Sequence, residues 1–288
     1  MIYDRKKGEL FEEQVYGKAA LRLLYAQNPI SAFLRAILTK NAFASKIWGG
    51  WQNLPWTRFK VAPFIKKYGI DTSEFASPHF SSFNAFFTRK LKKEARPIQG
   101  EICTPADGRY LVYPNISKAD GFVVKGQKFS LAKLVQDEAL AKEYEEGGLL
   151  IARLAPVDYH RFHFPINCTA GEPHLINGAL HSVNPLSIRQ NVKRFTENKR
   201  VITKLETTLG PLLFIEVGAT NVGSIHQTFT PHKTYQTGDE KGFFSFGGSA
   251  LILLFPPNTI TFDPLLVRNS QKHIETRCLM GEFLARHP

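Results

Sequence analysis

The chain has 288 residues, 43% of them hydrophobic and 22% charged, which excludes a wholly disordered or fibrous chain. Its three cysteines, Cys103, Cys168 and Cys278, are too few and too odd in number for a secreted disulfide scaffold and suit a reducing compartment. The net charge of +12 is uneven: residues 1–100 carry 17 basic and 7 acidic residues, a net of +10, and the rest carry 20 and 18, a net of +2. A basic N-terminal part attracts nucleic acid or anionic lipid, and charge alone does not choose between them.

In chain order, the opening MIYDRKKGELFEEQ lacks the apolar segment of a signal peptide. Residues 9–68 read as helical. Leu10, Phe11, Val15, Ala19, Leu23 and Leu24 recur near a helical turn, Pro29 interrupts, and Ile30, Phe33, Leu34, Ile37 and Leu38 resume behind a possible cap at Ser31. A third short segment runs through Phe59–Tyr68. Trp48, Trp51 and Trp56 cluster beside Lys46 and Arg58, which suits a lipid headgroup layer; ordinary helix packing is the alternative. Ser81–Pro97 is expected to form another helix, aromatic at Phe83, Phe86 and Phe87, basic at Arg89, Lys90, Lys92 and Lys93, and stopped by Pro97. No nucleic-acid-binding motif accompanies it.

From about Ile98 short apolar stretches alternate with Gly, Pro and Asp turns: Tyr110–Tyr113, Gly121–Lys125, Leu149–Ala152, Phe162–Phe164, Val201–Thr203, Leu212–Val217 and Ala250–Phe255. Leu131–Tyr144 is the expected helical exception. Regular βαβ alternation, GxGxxG and Walker patterns are missing, which disfavours nucleotide folds. The longest uncharged run, Gly242–Phe262, has 21 residues but is broken by Gly247-Gly248 and Pro256-Pro257, so it reads as a turn and a buried strand and not as a membrane span.

Four places could carry chemistry. In Thr104-Pro-Ala-Asp-Gly108, Asp107 is either a turn residue or a functional carboxylate. In Ala155-Pro-Val-Asp-Tyr-His-Arg-Phe-His-Phe-Pro165, His160 and His163 point to opposite faces of a regular strand and share a site only if the backbone turns or bulges. No tight Cys/His spacing supports a metal, for which His181, His226 or His232 would have to supply a third ligand. Val217-Gly-Ala-Thr-Asn-Val-Gly223 allows close backbone approach. Gly247-Gly248-Ser249 places a serine at the head of an apolar strand, where it is a turn residue unless a histidine lies beside it. The GxSxG elbow of α/β-hydrolases is absent.

Taken together, these residues resemble the phosphatidylserine decarboxylase proenzyme family. The stretches that carry the likeness are Ser82-Phe-Asn-Ala-Phe-Phe87 with its Leu-Lys-Lys-Glu-Ala-Arg-Pro sequel, Pro105-Ala-Asp-Gly108, Val124-Lys-Gly126, Phe129-Ser-Leu131, the His160/His163 segment, His181-Ser-Val-Asn-Pro185, Glu197-Asn-Lys-Arg200, Val217–Gly223 and Gly247-Gly248-Ser249. Each is weak alone; their joint order and spacing are specific. The first 70 residues match only in general character. Ala250 stands where the family has Ser or Thr, which bears on the rate of maturation more than on its chemistry.

The resemblance implies an α+β fold, with N-terminal membrane-associating helices (1–97) packed on a β-rich, barrel-like catalytic domain (98–288). It implies self-cleavage between Gly248 and Ser249 by attack of Ser249 Oγ, with His163 as the base, Asp107 orienting it and His160 near the bound substrate. Ser249 would become a pyruvoyl group, the electron sink for decarboxylating phosphatidylserine to phosphatidylethanolamine, with no metal or dissociable cofactor. The α and β chains would stay associated, two copies would form a homodimer, and the enzyme would bind anionic lipid peripherally at the cytoplasmic face of a bacterial inner membrane, without a nucleic-acid partner. The alternative is a non-enzymatic lipid-binding homologue that stays uncleaved.

Overall fold

The structure, a computed structural model, describes residues 1–13, 50–118, 130–181, 194–219, 225–247 and 249–288. The expected cap Ser31, Trp48, the expected strand Gly121–Lys125, Val124-Lys-Gly126, most of His181–Pro185, the tip of the Val217–Gly223 stretch and Gly248 lie outside these residues.

The chain opens with strands β1 (Ile2–Asp4) and β2 (Glu9–Phe11). A 3-10 turn, Pro55–Lys60, leads into the helix Val61–Tyr68, and a short helix, Phe83–Phe87, follows. Next come β3 (Ile102–Cys103), β4 (Gly108–Tyr113), helices Leu131–Val135 and Glu138–Tyr144, β5 (Gly148–Leu154), β6 (Arg161–His163), β7 (Cys168–Ala170) and β8 (His174–Ile176). After a short helix, Arg194–Glu197, the chain forms β9 (Arg200–Thr207), β10 (Gly210–Gly218), β11 (Ile225–Gln227), β12 (Thr234–Tyr235), β13 (Glu240–Phe244), β14 (Ser249–Phe255) and β15 (Thr261–Phe262). The helix Pro264–Gln271 and strands β16 (Glu275–Cys278) and β17 (Phe283–Arg286) complete it.

Local chemistry explains several boundaries. Gly69, at φ 60°, ends the helix Val61–Tyr68 in the left-handed conformation that glycine adopts at low cost. The Ser82 hydroxyl accepts from the Ala85 amide and starts the helix Phe83–Phe87. That helix stops well before Pro97 because the chain turns back: Leu91 forms a bridge with Phe75, and the Lys92 amide bonds the Glu74 carbonyl. The helix expected over Leu131–Tyr144 is two helices, because Gln136 takes a positive φ and Asp137 caps the second through the Leu140 amide.

Eleven of the described strands form one mixed sheet, ordered β12-β7-β9-β10-β14-β5-β4-β16-β1-β2, with β8 also paired to β9. Its central strands β5 and β14 are buried along their whole length, as expected for strands covered on both faces. Alternate residues feed two cores. Leu150, Ala152, Leu251, Leu253 and Phe214 pack against Phe162, Phe164 and Phe244 of the small sheet β11-β13-β6. Leu149, Ile151, Ile252, Leu254 and Ile215 pack under the helices Leu131–Val135 and Glu138–Tyr144.

The mixture of helix and strand is as expected, but two parts of the expected fold class are corrected. The sheet is not a barrel: its order ends at β12 and at β2 without joining. Closure is not needed to hide the apolar faces, since small sheets cover one and helices the other. Nor are the described residues of the N-terminal part only membrane-associating helices packed on a separate domain. Residues 2–4 and 9–11 are strands of the main sheet, β1 running parallel to β16, and no described helix is long and apolar enough to cross a membrane.

Candidate active site

Strand register gathers most of the singled-out residues at one end of the main sheet. Ser249 begins β14, opposite Gly218 of β10 on one side and Leu154 of β5 on the other. Gly108 begins β4, beside the Leu154 end of β5 and opposite Cys278 of β16, so Asp107 sits in the turn just before it. A Cβ on Gly108 would meet the Arg153 carbonyl oxygen at 2.9 Å, which explains glycine after Asp107. By alternation Ser249 faces the same core as Leu251 and Leu253. Its side chain is fully buried, and among the described residues Ser249 Oγ has no hydrogen-bond partner. A buried hydroxyl left without a partner is costly, and a chemical role is one reason for such a group to be kept.

The turn after β5 is shaped by Asp158. Its Oδ2 accepts from the Ala155 amide at 2.6 Å and from Arg109 Nη1, and its amide donates to the Ala155 carbonyl. This turn places His160 so that its Nε2–H donates to the same Ala155 carbonyl at 3.0 Å. That bond fixes the tautomer and leaves Nδ1 unprotonated, without a partner among the described residues. The His160 ring stacks on Phe87 at 3.7 Å. Burial, and then the Arg89 guanidinium, push its pKa down to about 3, so it is a neutral imidazole at neutral pH.

His163 lies in β6 with different neighbours. Nδ1–H donates to the Gly238 carbonyl at 2.8 Å, and the Tyr159 hydroxyl donates to Nε2 at 3.2 Å. Burial lowers its pKa as well. The two histidines therefore occupy separate hydrogen-bond settings: His160 precedes β6 and turns towards the Ser249 end of β5, whereas His163 turns towards Gly238. Opposite β6 the register of β13 shifts between Glu240 and Gly242, an irregularity of the kind that re-aims side chains.

Asp107 is buried and held by three donors. Arg96 Nε and Nη2 reach its two oxygens at 2.9 and 2.7 Å, and the Met280 amide reaches Oδ1 at 2.8 Å. Among the described residues no hydrogen bond joins Asp107 to His163, or either histidine to Ser249. The Asp107 charge still favours protonated His163 across space. Arg96 also pairs with Glu74 at 3.0 Å, and its own pKa rises through these carboxylates despite burial.

Sequence reasoning did not single out Arg96, Tyr159, Phe87 or Gly238 as site residues. The first three lie within the stretches that carry the family likeness, which was the available signal; a backbone carbonyl such as that of Gly238 leaves none. Of the other histidines, His226 Nε2 meets Ser245 Oγ at 2.8 Å, His181 approaches Glu197 at 3.7 Å and His232 approaches Glu172 at 3.3 Å. Among the described residues no group of three or more His, Cys, Asp or Glu is placed to hold a metal ion.

Comparison with known proteins identifies the family. The family pattern described as phosphatidylserine decarboxylase matches residues 83–286. A phosphatidylserine decarboxylase proenzyme of Chlamydia pneumoniae is 51% identical over 280 residues, covering 95% of this chain and 93% of the relative. Those of Chlamydia felis and Chlamydia muridarum are 49% and 50% identical, covering 98% and 99% of this chain and 96% and 97% of the relatives. With a matching pattern across most of its length and relatives of this identity at nearly full coverage, the chain belongs to the phosphatidylserine decarboxylase family.

Proposed function

We infer that this chain is a self-processing proenzyme whose mature form decarboxylates phosphatidylserine to phosphatidylethanolamine and carbon dioxide. The observation that carries the reading is Ser249, buried without a hydroxyl partner among the described residues, at the head of a central strand in a chain of this family. Attack of Ser249 Oγ on the carbonyl carbon of Gly248 moves the acyl group from nitrogen to oxygen. Loss of the Ser249 Cα proton then expels the Gly248 carboxylate and leaves a dehydroalanine end. Water replaces its nitrogen, ammonia leaves, and no external oxidant is consumed.

The position of Ser249 fits the pyruvoyl group that would replace it, since β5 and β10 hold the strand end on both sides. That carbonyl supplies the electron sink for decarboxylation. The chain's own residues provide the rest. A serine hydroxyl needs a base, and His163 is assigned that role, with Tyr159 and Gly238 fixing its tautomer and Asp107 acting on it through space. His160 would serve the bound substrate. A second assignment has its own support: His160 Nδ1, like Ser249 Oγ, is buried without a partner among the described residues, so His160 is the alternative base.

Substrate reaches the site from a lipid surface. Trp56 and Phe59 are 57% and 67% exposed beside Arg58 and Lys60, an aromatic and basic edge suited to anionic headgroups at a peripheral membrane contact. Assembly as a homodimer at the cytoplasmic face of a bacterial inner membrane rests on the family resemblance.

The test compares chain cleavage and carbon dioxide release in Ser249→Ala, His163→Ala and His160→Ala. Ser249→Ala should remain one chain without activity. A block of cleavage in His163→Ala alone supports the first assignment of the base; a block in His160→Ala alone supports the second. Normal cleavage of Ser249→Ala would refute the function.

A further inference from the structure

The loop between β13 and β14 contains the bond that the proposed self-cleavage breaks. Ser249, on one side of that bond, is locked into β14 by its pairing with β10 and β5. On the other side, Phe246 is held from outside the sheet. Its amide donates to Asn84 Oδ1 at 2.8 Å, and its ring packs edge-on against Phe83 at 5.2 Å and Phe87 at 5.0 Å. Ser245 has a further anchor in the 2.8 Å contact between its Oγ and His226 Nε2. Only Gly247 and Gly248 lie between the two clamped ends, and Gly247 has φ 145°, a conformation open to glycine and strained for other residues.

Asn84 is itself oriented. Its Nδ2 donates to Asn53 Oδ1 at 2.8 Å, which turns Oδ1 towards Phe246. Its helix is tied to the 3-10 turn Pro55–Lys60 where the Phe83 amide donates to Thr57 Oγ1 at 3.0 Å. One face of the helix thus carries Phe83 and Phe87 against Phe246, with Phe87 also stacked on His160.

We propose that Asn84 is a positioning residue for self-cleavage, its side-chain oxygen holding the Phe246 amide and so restraining the short loop that leads into Ser249. The proposal rests on the self-processing function inferred above. An intramolecular attack depends steeply on geometry: a displacement of about 1 Å costs on the order of a hundredfold in rate. Losing one of the clamps on so short a loop should therefore slow cleavage with little effect on the fold.

The experiment follows conversion of the newly synthesised full chain in a cell-free pulse-chase for the parent, Asn84→Ala, Asn84→Leu, Asn84→Asp and Asn53→Ala. Melting temperatures are measured in parallel with each change placed on Ser249→Ala. Asn84→Ala and Asn84→Leu remove the acceptor and should cleave at least about tenfold more slowly. Asn84→Asp keeps an acceptor for the Phe246 amide and should cleave at close to the parent rate. Asn53→Ala, which keeps the acceptor but removes the partner that orients it, should cleave at a rate between those of the parent and Asn84→Ala. Parent-like cleavage of Asn84→Ala and Asn84→Leu would overturn the proposal. So would Asn84→Asp cleaving as slowly as Asn84→Ala, or Asn53→Ala slowing equally at an equal melting temperature. A parent chain that never cleaves would instead refute the underlying function.

Discussion

Lys241 should be among the most sensitive positions in the molecule. It and Glu216 are both fully buried in the core that Ser249 faces, with Nζ 2.5 Å from Glu216 Oε1. The ammonium also donates to Thr203 Oγ1 at 3.0 Å and Gln227 Oε1 at 2.9 Å, and the rings of Phe214 and Phe229 lie 4.9 and 4.6 Å away. Lys241→Met keeps the packing volume but strands the Glu216 carboxylate, whose Oε2 already has no partner among the described residues. Breaking one side of such a pair costs about 3 to 5 kcal/mol, against a total stability of about 5 to 15 kcal/mol for a folded protein. Replacing both ions, as in Lys241→Met with Glu216→Leu, should recover most of that loss, because desolvating the pair offsets much of its attraction. The direction with pH is also fixed. Burial raises the Glu216 pKa above its ordinary value of 4.5, so in Lys241→Met the folded state holds a proton that the unfolded state releases. Stability of the single variant should therefore fall as pH rises from 5 towards 8. Urea unfolding on the Ser249→Ala background, which keeps one covalent chain, measures each quantity. A cost below about 1 kcal/mol for Lys241→Met, or a double variant no more stable than the single, would refute the reasoning.

His160 should make the fold acid-sensitive. Its folded pKa of about 3 lies below the ordinary 6.5, so the unfolded state binds the extra proton and stability falls by about 1.4 kcal/mol per pH unit from about pH 6.5 towards 3. The slope of parent minus His160→Gln in urea unfolding checks this, and equal slopes contradict it. Trp56→Ser with Phe59→Ser should weaken co-sedimentation with anionic vesicles while changing stability by less than about 0.5 kcal/mol, since both side chains are exposed. Unchanged vesicle binding would place lipid contact elsewhere.

The strands nearest the site were the most legible in the sequence. Ala250–Phe255, and Leu212–Val217 apart from Glu216, are apolar runs between turn signals, and both are central strands. The quoted family stretches also brought Asp107, His160 and Ser249 into view before any contact was known. What stayed hidden is decided far along the chain. Ile2–Asp4 becomes a strand because Glu275–Arg277 lies alongside, and no local period announces that pairing. The helix expected up to Pro97 gives way after Phe87 because Leu91 meets Phe75. The immediate partners of Asp107 and His163 were illegible for the same reason. Arg96 takes the carboxylate, while a backbone carbonyl and the Tyr159 hydroxyl take the imidazole. The barrel expectation failed because the pattern of buried strands does not distinguish a closed sheet from an open one covered on both faces.

The most direct test of self-processing is the intact mass of purified protein under denaturing conditions, with Ser249→Ala beside it. Two chains are expected from the parent: residues 1–248, and residues 249–288 with a first residue lighter than serine by the difference between serine and pyruvoyl, and closed to Edman degradation. Ser249→Ala should give a single chain of 288 residues. A parent that remains one chain while releasing carbon dioxide from phosphatidylserine, or a small chain that begins with unmodified serine, would contradict the assignment of Ser249.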